Sequence, residues 1–312
     1  MMFQQRTIRE KTSCVGVGVH CGSQLTLEIL PAPADNGITF HRTDLPGHAE
    51  LRGHVSQVVD TTLATTVAAG VNGNRASVST IEHLMAAFRG CGIDNARVFI
   101  DGPEIPILDG SARPFVDMFR RVGVETQRAN RRFLVVRKDV RLTDGEKEAR
   151  ITPGTGFKMT AKIDFDHPLI PAMPYTYELS ERTFEREIAP ARTFGFLKDV
   201  EALRARGLAR GGSLDNAVVI DGYKVLNPDG LRFPDEFVRH KILDTIGDLA
   251  LFGMPVIGRV HMNRPGHALN TDLVRAVLSD PKAFEVVEAE PSEAERASRG
   301  EPSRLVTLGV IA

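Results

Sequence analysis

The segment DEFVRHKILDTIGDLALFG places His240, Asp244 and Asp248 at i, i+4 and i+8, so a helix there stacks an imidazole and two carboxylates along one stripe. Phe237, Ile242, Leu243, Ile246 and Leu249 supply the apolar faces that hold such a helix in a core. An imidazole and a carboxylate one turn apart can share a metal ion. Zinc takes His nitrogen and Asp oxygen at about 2.0–2.2 Å, and catalytic zinc keeps three protein ligands with a fourth position open to water. The same spacing also fits a solvated polar stripe in which His240 and Asp244 are an ordinary pair one turn apart.

A third ligand has to come from elsewhere in the chain. His83 in STIEHLMAAF is the best candidate, because Glu82 beside it brings a carboxylate that can reach a metal-bound water without being a ligand. Against this, Ser79-x-x-Glu82 before an apolar run also reads as a capping box that only closes a helix N-terminus. His267, in the loop NRPGHALN, titrates near neutrality, and Asp248 can hold it as imidazolium. An incidental loop histidine is the alternative.

The elements that must position these groups read as strands and helices in alternation. Glycine turns and the alternation of Leu25, Leu27 and Ile29 make residues 13–30 strand, turn, strand. Gly16 and Gly18 do not open a dinucleotide fold, since the next glycine is Gly22 and QLTLEIL after it is a strand. Strands follow at 36–41 and 63–68, then a helix from Ser79 to about Arg89 closed by Gly90, a buried strand ARVFI, and a Pro/Gly loop. The loop leads to a helix capped by Ser111 that carries Phe115, Met118 and Phe119 on one side. After a connector at 123–130, a second half repeats the order: strands to about 190, a helix from about Asp235 to Phe252 stopped by Gly253, a strand near VIGRVHM, a loop, and a helix TDLVRAVL. Two similar α+β layers are expected, with LKDVEALRARG and GGSLDNAVVIDGY forming a small β-α-β insertion in the second. The stretch after about residue 283 is polar and expected to be a mobile tail.

The chain has 312 residues and 42% hydrophobic content, enough for one large domain or two moderate ones. Lys and Arg number 39 against 40 Asp and Glu, and that balance disfavours nucleic acid as a partner. No run approaches the roughly 18 apolar residues of a membrane span, and MMFQQRTIREKT lacks the apolar stretch of a secretory signal, so a cytoplasmic protein with no integral membrane association is expected. Cys14, Cys21 and Cys91 are odd in number and show no CxxC spacing, so a bound metal would take His, Asp or Glu.

Together these segments resemble the UDP-3-O-acyl-N-acetylglucosamine deacetylases, zinc amidases of lipid A biosynthesis. The resemblance runs from about residue 3 to residue 280 and rests on GVGVHCG, the STIEHL helix, DNARVFIDGPEIPILDGSARPF, ARTFGF, GGSLDNAVV, DGLRFPDEFVRHKILDTIGDL and GHALN, in that order. It implies an α+β fold of two similar domains, 1–126 and 130–282, forming a β-α-α-β sandwich, with a small sheet insert in the first domain, a β-α-β insert in the second and a polar tail at 283–312. It implies one catalytic zinc ion on His83, His240 and Asp244, with zinc-bound water as nucleophile, Glu82 as general base, His267 as general acid paired with Asp248, and the Thr193 hydroxyl on the oxyanion. Phe194 and Lys241 match residues that contact substrate, and His20 falls in the glycine-rich opening and is expected to line the site. Two positions depart from the pattern: Cys21 replaces a small hydroxyl residue, and Ala64 stands where some relatives carry cysteine.

Amide hydrolysis needs a strong nucleophile, oxyanion stabilisation and protonation of the leaving nitrogen, and this set offers all three. Phe196, Leu197 and Val200, with Gly212, Ser213, Ala217 and Val219, make an apolar insert able either to enclose an acyl chain or simply to pack as a small subdomain. Lys241 and nearby basic residues are placed to meet a diphosphate, whereas the basic alternation in RRFLVVRKDVRL reads as a solvated strand face. The expected substrate is UDP-3-O-acyl-N-acetylglucosamine, acted on by a monomer. A zinc amidase for another N-acyl amino sugar, or an acyl- or nucleotide-binding protein whose metal is purely structural, remain the competing readings.

Overall fold

In a computed structural model the described residues are 3–47, 50–71 and 74–290. The first half runs β1 (Gln4–Ile8), β2 (Thr12–Val17), β3 (Gln24–Pro31), β4 (Ile38–Arg42), β5 (Glu50–Arg52), β6 (Val58–Asp60), β7 (Thr66–Val71), β8 (Asn74–Val78), α1 (Glu82–Gly90), β9 (Ala96–Ile100), α2 (Arg113–Val122) and β10 (Val124–Asn130). The second runs β11 (Arg132–Val136), β12 (Val140–Asp144), β13 (Lys147–Thr152), β14 (Phe157–Lys162), β15 (Tyr175–Glu178), a short α3 (Glu181–Thr183), β16 (Phe194–Phe196), α4 (Leu197–Ala205), β17 (Val218–Asp221), β18 (Lys224–Val225), α5 (Glu236–Leu249), β19 (Val256–Asn263), α6 (His267–Ser279) and β20 (Phe284–Glu288). The fold is α+β.

Strand pairing repeats between the halves. In the first sheet β2 pairs β3, and β9 lies between an antiparallel β3 and a parallel β4, which in turn pairs β5. In the second, β12 pairs β13, and β19 meets an antiparallel β13 and a parallel β14, which in turn pairs β15. Each central strand follows a helix that carries candidate catalytic groups, α1 before β9 and α5 before β19. The repeat expected from the order of elements is therefore present in the topology. The β6–β7–β8 sheet is the small insert of the first half, and parallel β16 and β17 joined by α4 make the β-α-β insert of the second.

Helices α1 and α5 pack on one another, with α2 on α1 and β2, and α6 on α5, β12 and β13. A sheet, helix, helix, sheet order is the layering these contacts fit. All of α1 except Arg89 is buried, as is α5 except Arg239 and Lys241. A helix enclosed on every side buries its polar stripe with its apolar faces, so the solvated-stripe reading of His240 and Asp244 fails.

Three boundaries differ from the sequence reading. The connector at 123–130 is strand β10, paired with β1. The polar tail begins later than residue 283, because β20 pairs antiparallel with β11 and its charges form ion pairs such as Arg137–Glu285 at 2.6 Å. The rest of the expected tail, 291–312, lies outside the described residues. Helix α2 starts at Arg113 with Ala112 at its N-cap, although the Ser111 hydroxyl still accepts from the Arg113 N–H at 3.2 Å. The basic face of β11 and β12 is solvated, its charges spent on pairs such as Arg132–Asp35 and Arg141–Glu148. Among the described residues no helix is long and apolar enough to cross a membrane.

Candidate active site

Helix α1 does not begin with a capping box. Ser79 forms a bridge to Glu104 in the strand register, Thr80 takes φ +57°, and the helix starts at Glu82 with Ile81 at its N-cap. Glu104 causes the shift, since its carboxylate accepts the Thr80 hydroxyl at 2.9 Å and the backbone N–H groups of His20 and Cys21 at 3.0 and 2.8 Å. Gly18 makes that reach feasible, because a Cβ there would come 2.5 Å from a Glu104 carboxylate oxygen. Glu82 thus leaves the helix terminus and turns its carboxylate inward, where Oε2 accepts the Thr65 N–H at 3.0 Å.

Ligand atoms of His83, His240 and Asp244 lie within 4.8 Å of one another, all buried. Asp244 Oδ1 stands 3.4 Å from His83 Nε2 and 3.3 Å from His240 Nε2. A tetrahedral ion bonded at about 2.0–2.2 Å sets its ligand atoms roughly 3.3–3.6 Å apart, so these spacings suit zinc. Asp244 Oδ1 is buried with no hydrogen-bond partner among the described residues. Such an orphaned acceptor is costly unless a cation satisfies it. His240 Nδ1 donates to the Ala191 carbonyl at 3.0 Å, which leaves the Nε2 lone pair facing the cluster, the tautomer a metal ligand requires. Burial pushes the His240 pKa down to about 3, so its imidazole is neutral. Burial also works against the Asp244 charge, but the imidazoles that face it and the Lys241 ammonium 2.7 Å away hold its carboxyl well below the ordinary range.

Beside the cluster, His267 Nε2 faces Glu82 Oε1 at 3.9 Å, and its Nδ1–H donates to Asp248 Oδ2 at 2.9 Å. Burial opposes charge on this imidazole, yet Asp248 and Glu82 outweigh it and raise the pKa to about 10. Glu82 shifts the other way from an ordinary carboxylate: burial raises its pKa, with His267 and His83 pulling against that rise. A buried carboxylate ready to accept a proton and an imidazolium ready to give one thus lie side by side. His267 is the first residue of α6 rather than a loop residue, so backbone geometry as well as Asp248 fixes its ring.

The profile described as LpxC, UDP-3-O-acyl N-acetylglycosamine deacetylase, matches residues 5–279. The chain belongs to this deacetylase family. It is 55% identical over 285 residues to the UDP-3-O-acyl-N-acetylglucosamine deacetylase of Anaeromyxobacter sp. (strain Fw109-5), covering 91% of this chain and 92% of that one. The deacetylase of Myxococcus xanthus (strain DK1622) is 52% identical over 298 residues, covering 96% and 94%, and that of Shewanella violacea 47% over 307 residues, covering 98% and 99%.

The remaining candidates of this deacetylase-family chain group around the ARTFGF segment. The buried pair of Arg192 and Glu236, at 2.8 Å, ties that segment to the start of α5 and so sets the Ala191 carbonyl against His240. Two residues on, Thr193 is held by its backbone, its N–H on the Gly110 carbonyl and its carbonyl on Val218, and its hydroxyl has no partner among the described residues. Phe194 packs edge-on against Phe237 and His240, with Lys241 Nζ 5.6 Å from its ring centre. Lys241 thus sits between Asp244 and the Phe194 ring. His20 joins the opening loop to the insert: its Nδ1 accepts the Ala209 N–H at 3.4 Å, and burial, with His267 nearby, lowers its pKa against the pull of Glu104.

In the insert, Phe196 lies beside Phe165 and His167, Leu197 is 41% exposed, Ser213 is exposed, and Val200, Gly212, Ala217 and Val219 are half-buried. Burial raises the Cys21 thiol and pushes Cys91 up to about 12, which suits thiols outside the chemistry.

Three groups at the site escaped the sequence reading. Thr65 gives its N–H to Glu82 and its hydroxyl to Asp248 Oδ1 at 2.5 Å. Asn270 donates to Asp248 Oδ2 at 2.8 Å, and Glu104 organises the His20 loop. Only the Asn270 position left a signal, since it follows His267 by three residues and shares its helix face.

Proposed function

We propose that the protein is a zinc-dependent amidohydrolase that converts UDP-3-O-acyl-N-acetylglucosamine to UDP-3-O-acyl-glucosamine and acetate, a step of lipid A biosynthesis in the cytoplasm. The observation that carries this reading is the convergence of His83, His240 and the orphaned Asp244 Oδ1 beside the Glu82–His267 pair. Three donors, one short of a closed structural site among the described residues, leave a position open for chemistry. Zinc held there supplies Lewis acidity, lowering the pKa of water to about 7 and polarising the acetamide carbonyl.

The protein groups supply the proton transfers. With Oε2 tied to Thr65, Glu82 presents Oε1 to the attacking water and takes its proton as oxygen bonds to the acetyl carbon. Negative charge then builds on the acetyl oxygen, and the unpartnered Thr193 hydroxyl is available to donate to it, a contribution of roughly 3–4 kcal/mol per preorganised donor in other enzymes. As the C–N bond breaks, His267 Nε2 delivers its proton to the sugar nitrogen while Asp248 stabilises the imidazolium through Nδ1. Phe194 and Lys241 border the same face. The β16–α4–β17 insert leaves Leu197 and Leu214 each 41% exposed, apolar surface that an acyl chain covers.

Replacing Glu82 with Ala tests the assignment. Zinc content and fold should persist while turnover falls by about 10²–10⁴. Retained turnover removes Glu82 as the base.

A further inference from the structure

A cavity of about 260 Å³ lies between the end of α1, the last turn of α5 and the start of β19, apart from the candidate active site. Its walls include Phe133, Phe157, Leu179, Leu249, Met254 and Val256, and Arg89 lines it. Arg131 and Glu181 line it too. The size is just under the roughly 300–1,000 Å³ of small-molecule pockets, and mostly apolar walls with a few polar or charged groups are their usual make-up.

The charges around it do not balance. Glu181 is ion-paired with Arg6, and Arg131 holds Asp94 at 2.7 Å and the Gly92 carbonyl at 2.6 Å. Arg120 and Glu185 nearby pair with each other. Arg89 makes no hydrogen bond or ion pair to a described residue; it feels Asp94, already bound to Arg131, and is repelled by Arg131 itself. Three guanidinium groups thus share two carboxylates, and the one left over faces an apolar cavity. Desolvation of this half-buried side chain pushes its pKa down to about 10. A guanidinium presents five N–H donors in a planar fork that matches a carboxylate.

We propose that this cavity is a second ligand site for an amphipathic carboxylate, its anionic end on Arg89 and its apolar body against Phe133, Phe157 and Leu249. A bare inorganic anion would satisfy Arg89 but leave those walls uncovered, and an uncharged apolar molecule would do the reverse.

Octanoate titrated into the zinc-loaded full-length protein, carrying methyl-labelled methionine, tests this. The Met254 methyl signal, assigned from Met254→Leu, should shift saturably. Octanol and octylamine should bind at least about tenfold more weakly, the loss of one charge-assisted pair, and Arg89→Met should weaken octanoate by a similar factor while melting as a folded protein. Arg89→Lys should keep part of the affinity, and inorganic phosphate should not displace octanoate. Octanol binding as well as octanoate, phosphate competing for the site, or shifts that spare Met254 would each overturn the proposal. These comparisons in the unsubstituted protein decide it even if an Arg89 variant fails to fold.

Discussion

Gly247 of α5 lies so close to Glu82 of α1 that a Cβ built on it would come 2.0 Å from the Glu82 carbonyl oxygen. The two helices carry all three candidate metal ligands, and this contact brings them to one point. Backbone cannot yield as a flexible side chain does. Gly247→Ala should therefore force the helices apart, destabilising the protein by roughly 1–3 kcal/mol and weakening zinc retention. Thermal melts and zinc stoichiometry after gel filtration measure both effects; a variant with unchanged melting and full zinc would show that the contact does not set the site.

Thr65 links the base to the partner of the acid, through its N–H on Glu82 and its hydroxyl on Asp248. Thr65→Val keeps the first bond and removes the second. Hydrogen bonds to charged groups contribute about 1.5–3 kcal/mol, and a loss in that range is expected in denaturant unfolding. Asp248, with one donor fewer, should hold the His267 proton more tightly, moving the alkaline limb of the rate profile to higher pH.

The helix bearing His240, Asp244 and Asp248 was legible because its spacing and its apolar residues agree on one conformation. The start of α1 was not, because Ser79-x-x-Glu82 satisfies the capping pattern locally while Glu104, 24 residues beyond Thr80, takes hold of the loop before the helix. His267 read as a loop residue because Pro265 and Gly266 punctuate the chain immediately before it, yet the helix begins at once. Thr65 left no local mark at all: its partners are 17 and 183 positions away. The strand β20 was hidden in a polar segment because its pairing with β11 uses backbone groups, to which composition is blind.

The pH dependence follows from the two shifted groups. Glu82 must be a carboxylate to take a proton, and burial raises its pKa, so the rate rises with pH as that raised value is passed. His267 must be protonated to donate, so the rate falls as pH climbs through its pKa, about 10 without a metal beside it and lower with a dication present. A bell-shaped profile of kcat/KM is expected. His267→Ala should lose the alkaline limb, and Asp248→Asn should move it to lower pH; an alkaline limb untouched in His267→Ala would assign that limb to another group.

If the insert encloses the acyl chain, affinity scales with chain length. Each methylene buried contributes about 0.8 kcal/mol, so each one removed from the substrate should raise KM about fourfold until the chain no longer reaches the insert. Steady-state kinetics across an acyl series measure this; a KM indifferent to length would place the chain outside the insert and favour an amidase for simpler N-acyl sugars.

The central claim is that His83, His240 and Asp244 hold the zinc on which deacetylation depends. Acetate release from UDP-3-O-acyl-N-acetylglucosamine, followed in the protein as purified, after chelation and after stoichiometric zinc is restored, tests it most directly. The expected result is activity lost on chelation and recovered with zinc, but not recovered in Asp244→Ala; activity indifferent to chelation would contradict the account.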